Sequence, residues 1–493
     1  MTETSDSQPS DVVPPLAAVL LACTRDPGDA RTAAALRAAL ARVASAPAGD
    51  PGWDALAEAA LRHGMSGLLY RRVVDLAYEA VPQAVLHAWR DRAVAAAQRS
   101  LRMQRQLLSV LDGLRQADVP ALAYKGPALS QQLYGDPGLR HFTDLDLLVR
   151  PDDVATARDL VLGAGFAEKH DFEAVPLELL QDAEQEIGFS HPETGLQLDV
   201  HWRVGPRFAA DSLLAEELFA RSGAVRLLEC EIRTPGPHDV VLTLTIHASV
   251  HGWQKIEDVA AVAAALRRLT PAEAATLPAL ALEHGCQRRL HVGVLLAATL
   301  SDESLPALLT RPAHGDRRAK DIASRAGARL VWSVTAPQLL DTSDPRARAK
   351  GVLWEAVGLD TGGAAARHLW RRLTTAGARD WPEAVVGGTA PEAARDGAAP
   401  GVGLDGAPAE GGSGPTDARA GGEAGTRGPQ ELPEEQERTR PKTLETGRSV
   451  RGRWWPRQAS DGTSKARPGP VRRLRTFARR QRRIWRPPGS GGH

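Results

Sequence analysis

Cysteine is scarce: the 493 residues hold three, and Cys23, Cys230 and Cys286 stand far apart with neither CxxC nor any other metal-ligand spacing. That distribution argues against a disulfide framework or a thiolate metal site and suits a reducing cytoplasm. Net charge is also nearly absent, with 61 Lys plus Arg against 60 Asp plus Glu. No global field draws the chain to nucleic acid or membrane, so any electrostatic preference must be local. Long apolar runs are missing as well, and none approaches the roughly 18 residues of a membrane span. The stretch PPLAAVLLAC, ending at Cys23, superficially resembles an export segment. Glu3, Asp6 and Asp11 precede it without a Lys or Arg, and Leu21 sits where a small residue is expected, so it reads as a buried first helix.

The chain is not uniform. Residues 1–14 are polar and contain proline, and read as disordered. Residues 15–105 carry helical periodicity, as in WDALAEAALRHGMSGLLYRRVVDLAYEA, and form an N-terminal helical segment. Residues 106–235 alternate helices and strands without the regular crossovers of a doubly wound sheet, which predicts an α+β core with a mixed sheet. Residues 236–378 are helical again. From 379 to 493 large apolar residues nearly vanish, and such a stretch cannot bury enough surface to offset its ordering entropy. Within it, residues 465–486 carry ten Lys or Arg and no acid, interleaved with Leu474, Phe477, Ile484 and Trp485. Such a segment suits nucleic acid or an anionic surface, although a solvated tail has the same composition.

One predicted strand contains an electrostatic conflict. In RHFTDLDLLV, Asp144 and Asp146 fall on the same strand face, because side chains alternate. At a separation near 6 Å their repulsion is on the order of 3 kcal/mol at an effective dielectric of about 20. Solvent at a strand end, a basic partner or a cation would offset it. Relief of this repulsion predicts that Asp146→Ala keeps or raises stability.

Two further features bear on the choice. GLQLDVHWRV alternates strictly, placing Asp199 and His201 together on a polar strand face. AYKGPAL places Gly126 between a strand and a helix, where backbone N–H groups bind anions readily, with Lys125 beside it. Each element alone has an ordinary explanation: a solvated strand end, a turn glycine, or a surface pair between Asp199 and Arg203. Together, carboxylates able to hold divalent cations beside a phosphate-binding turn are the equipment of two-metal phosphoryl or nucleotidyl transfer. HASVH spaces His247 and His251 on one helix face, but Ala248 stands where a zinc peptidase needs Glu. These histidines read as packing residues near the sheet, or as contacts to a nucleotide or acceptor.

The order KG, then R…DLDLLV, then LDVHW and HASVHGW resembles a family of uncharacterised bacterial nucleotidyltransferases within the superfamily that includes DNA polymerase β. The resemblance spans about residues 50–260. It implies a nucleotidyltransferase-type mixed sheet flanked by helical segments, Mg²⁺ or Mn²⁺ as cofactor, and an NTP such as ATP as substrate. It implies that Asp144, Asp146 and Asp199 bind metal, with Asp199 also the base toward an acceptor hydroxyl. Lys125 and Gly126 would cradle the triphosphate, Arg140 would hold a phosphate, and His201 would border the site. The acceptor, whether small molecule, peptide or RNA, is not specified. Two departures stand out. Pro127 follows Gly126 where many superfamily members offer a hydroxyl or N–H, and the segment between Trp253 and Asp258 is short, so no role is carried over to Asp258. An inactive nucleotide- or partner-binding scaffold, or an RNA-binding or RNA-modifying protein recruited by its tail, are the alternatives.

Overall fold

The computed structural model describes residues 13–46, 52–170, 176–205, 213–340 and 359. The expectations for residues 1–12 and for the chain from 379 onward, including the basic run 465–486, lie outside the described residues.

The architecture is mixed α+β. Five strands form the central sheet: β1 (Ala121–Ala123), β2 (Asp144–Val149), β3 (Ala167–Glu168), β4 (Glu186–Ser190) and β5 (Gln197–His201), in the order β1-β2-β5-β4-β3. Only β2 and β5 run parallel to one another, and the other neighbours are antiparallel. The parallel pair is joined through the helix Val154–Gly163 and the β3 and β4 strands, which supplies the long crossover that parallel strands need.

Period-two patterning gives the sheet two different faces. Leu145, Leu147, Val149, Ile187, Phe189, Leu198 and Val200 point into one core. Beneath them lies the helix Gln83–Gln116, whose Met103, Leu107, Val110 and Leu114 follow helical spacing, together with Val154, Ala157 and Val161 of the Val154–Gly163 helix. Each of these large side chains, fully buried, contributes about 1.5–3 kcal/mol. The opposite face carries Asp144 and Asp146 on β2, Asp199 and His201 on β5, and Glu186 and Gly188 on β4.

The same long helix reaches a second core through Leu86 and Trp89. There Leu16, Leu20, Leu36 and Leu40 of the first helices pack with Val259, Val262 and Leu290 from helices late in the chain. The helix Pro15–Thr24 is buried along nearly its whole length, Cys23 included, in keeping with a first helix that packs inside the protein. AVRLLECEIRT differs from the single strand its pattern suggests. It is a hairpin, Gly223–Leu227 paired with Cys230–Thr234, and the chain reverses at Leu228 with φ of +51°. Among the described residues, no helix is long and apolar enough to cross a membrane.

Candidate active site

The parallel register sets Asp146 directly opposite Asp199, Asp144 opposite Gln197 and Leu148 opposite His201. On the other side of β5, antiparallel pairing sets Gly188 opposite Asp199 and Glu186 opposite His201. The polar face is therefore a grid in which acidic side chains from three strands converge.

Asp146 is the most deeply placed, its side chain 2% exposed. Its Oδ1 accepts from Lys125 Nζ at 2.8 Å and lies 3.1 Å from His201 Nε2. The other ring nitrogen, Nδ1, lies 3.0 Å from Glu186 Oε2. Burial alone would lower the His201 pKa, but the Glu186 carboxylate and the bonds to Asp146 and Glu186 raise it to about 9. At neutral pH the ring is an imidazolium donating from both nitrogens, and Tyr124 packs edge-on against it with centroids 5.0 Å apart. Burial would raise Asp146, but Lys125 and His201 hold its carboxyl well below the usual carboxylate range.

These contacts change the stability expected of Asp146→Ala. The repulsion read from the sequence is already offset by two cations, the half-buried Lys125 and the buried His201, so removing Asp146 strands them instead of relieving a clash. Asp144 is the strained partner: burial, and then the neighbouring Asp146 charge, push its carboxyl above the usual range. Burial likewise raises Asp199, against the opposing bond from Lys169 Nζ at 2.8 Å.

Asp146, Asp199 and His201 offer ligand atoms within 4.8 Å of one another, a cluster compatible with metal binding. The chemistry of the donors favours the carboxylates. Both His201 nitrogens are engaged, whereas Asp146 Oδ2 is buried without a hydrogen-bond partner among the described residues. A buried carboxylate oxygen left unpaired is costly, and a hard cation is the partner that suits it.

Lys125 precedes the helix Gly126–Tyr134. Gly126 adopts φ of +57°, and a Cβ there would come within 3.3 Å of the Asp144 carbonyl, so both backbone and space call for glycine. Pro127 sits in the first turn, where a missing N–H breaks no helix bond. Arg140 is paired with Glu257 from the distant helix Ile256–Arg268, its side chain 13% exposed, and its backbone N–H donates to Ser130 Oγ at 3.2 Å. Asp258 Oδ2 accepts from the Lys255 N–H at 3.2 Å, capping that same helix. Burial and the charges of Lys125 and His251 push the His247 imidazole well below its ordinary range, and the two histidine rings lie 4.5 Å apart.

The structure brings Lys125, Asp144, Asp146, Asp199 and His201 to one sheet face, and Gly126 packs against the start of β2. Arg140 is engaged elsewhere, on Glu257. Sequence reasoning passed over Lys169, Glu186 and Gly188. The signal for Glu186 and Gly188 was the alternation in EIGFS, which puts Glu186, Gly188 and Ser190 on one face, and Lys169 lies outside that segment.

Residues 49–302, just over half of the chain, match a family model described as an uncharacterised nucleotidyltransferase. No curated protein and no solved structure matches the chain.

Proposed function

Because the chain belongs to this uncharacterised nucleotidyltransferase family, we propose that it transfers an NMP from an NTP to an acceptor hydroxyl and releases pyrophosphate. The observation that carries this reading is the register pair Asp146–Asp199, with Asp146 Oδ2 buried beside it and unpartnered among the described residues.

In this reading Asp144, Asp146 and Asp199 hold divalent cations, Mg²⁺ or Mn²⁺. Such cations, when bound, neutralise charge on the phosphoryl oxygens and lower the pKa of a bound hydroxyl. The protein's own groups do the rest. Lys125 and His201 fix Asp146 in one rotamer and keep it ionised at neutral pH. Glu186 orients the His201 ring in turn. Asp199 takes the acceptor proton as the acceptor oxygen bonds to the α-phosphorus and the bond to the β-phosphate oxygen breaks. Lys125 and the Gly126 turn receive the triphosphate, and Arg140 receives a phosphate once it exchanges Glu257 for it.

Residues 106–235 then form the catalytic core, and the flanking segments 15–105 and 236–378 select the acceptor. The three free cysteines suit a reducing cytoplasm. The basic run 465–486 offers an RNA contact, which would give steeply salt-dependent binding that is lost on its deletion.

Incubating the protein with each α-labelled NTP, Mg²⁺ or Mn²⁺ and a lysate split into RNA, protein and small molecules tests the activity. Label is expected in one fraction, dependent on metal. A second reading, an inactive nucleotide-binding scaffold, is favoured by Pro127 alone. Metal-dependent NTP binding with no labelled fraction would support it.

A further inference from the structure

We propose that Lys169 is a built-in counter-ion for Asp199 that couples cation binding at that carboxylate to the arrival of an anionic nucleotide. The proposal rests on the nucleotidyl-transfer reading of the Asp146–Asp199 pair.

Four residues form a row, three on the strands β4, β5 and β2 and one at the end of β3. The Lys169 N–H, just beyond β3, donates to the Gly188 carbonyl at 2.9 Å; Gly188 stands opposite Asp199, and Asp199 opposite Asp146. With strands about 4.8 Å apart, Lys169 must reach over a whole strand to touch Asp199. Gly188 makes that reach possible. A Cβ at 188 would lie 2.9 Å from Lys169 Cδ and 3.0 Å from Asp199 Oδ1, so the bare glycine is the trough in which the lysine stem lies. Gly188 is not among the positive-φ glycines, so space and not backbone conformation calls for it. Glycine inside a strand weakens it and marks a close approach, here by a side chain carrying charge to the site.

The two lysines of the site are held differently. Lys125 is 23% exposed and binds the deep Asp146, whereas Lys169 is 31% exposed and extends from just beyond the two-residue edge strand to the shallower Asp199. Lys169 is therefore the ammonium that can leave. A cation that takes Asp199 Oδ1 alone displaces it and leaves it without that anion. An NTP brings phosphate oxygens that the released ammonium can take, so cation and nucleotide bind cooperatively.

Calorimetric titration of the full chain with Mn²⁺, with and without a non-hydrolysable ATP analogue, tests this. Lys169→Met keeps the stem over Gly188 and removes the charge. It should bind Mn²⁺ alone roughly fivefold more tightly than wild type and lose most of the tightening that the nucleotide gives. Lys169→Arg should behave as wild type. If Lys169→Met does not fold, Lys169→Ala provides the same comparison. Equal Mn²⁺ affinity and equal nucleotide enhancement in wild type and variant would overturn the proposal and leave the transferase reading intact. Failure of wild type to bind Mn²⁺ even with nucleotide would overturn both.

Discussion

Asp146 and Asp199 face each other across adjacent parallel strands, and each is already paired with a lysine, Lys125 at 2.8 Å and Lys169 at 2.8 Å. The sheet thus assembles two carboxylates in one place and offsets their charge with side chains from elsewhere in the chain. That arrangement allows the site to fold before any cation is present, because unpaired buried carboxylates would otherwise oppose folding.

The two aspartates of the DLD segment should respond oppositely to neutralisation. Asp146→Asn leaves Lys125 and His201 without their buried anion and should cost about 3 kcal/mol. Asp144→Asn removes a carboxylate already destabilised by burial and by Asp146, and should be neutral or stabilising. Denaturant melts of the two variants check this, and equal losses in both would contradict it. NMP transfer should be lost in both.

Arg140 is the next test, because its ion pair with Glu257 and its phosphate role can be separated. Arg140→Met alone strands a buried carboxylate and should cost about 3 kcal/mol. Combining it with Glu257→Leu should recover most of that loss. If Arg140 also serves phosphate, the double variant will be stable yet bind NTP weakly, as fluorescence titration would show. Full NTP affinity in the double variant would make Arg140 purely structural.

Acid sensitivity should come partly from His63. Its ring is buried, its Nδ1 accepts from the Ile256 N–H at 3.4 Å, and burial together with the Arg62 charge pushes its pKa down to about 4. The unfolded chain, with an ordinary His pKa near 6.5, binds more protons than the folded one between those values. Stability should therefore be full above about pH 6.5 and fall as pH drops toward 4, by about 3 kcal/mol from this residue. Urea midpoints of wild type and His63→Gln from pH 4 to 7 check it: the variant should show the shallower slope.

How far the sequence discloses this site follows from which interactions are local. The alternations in DLDLLV and LQLDVH fix side-chain faces within a strand, so Asp144 could be grouped with Asp146, and Asp199 with His201, before any pairing was known, whereas bringing the two pairs together required β2 and β5 to be neighbours. The glycine turn after β1 and the helices carry local signals as well. The grid itself depends on register. That Glu186 meets His201 and Gly188 meets Asp199 follows from how β4 aligns on β5, which the alternation does not encode. Lys169 is further removed, because its role requires the edge strand, the trough and Asp199 together. Arg140 and Glu257 are 117 residues apart, and only the packing of the Ile256–Arg268 helix brings them into contact. The hairpin Gly223–Thr234 was hidden because Leu228, not glycine or asparagine, takes the left-handed turn conformation.

Asp199→Asn, compared with wild type for metal-dependent NMP incorporation and NTP binding in the same preparation, bears on the account at its root. Asn keeps the shape of the side chain but can neither accept the acceptor proton nor supply an anionic ligand. Incorporation should fall by about three orders of magnitude, while the fold and measurable NTP binding through Lys125 and Gly126 persist. Undiminished incorporation in Asp199→Asn would contradict it.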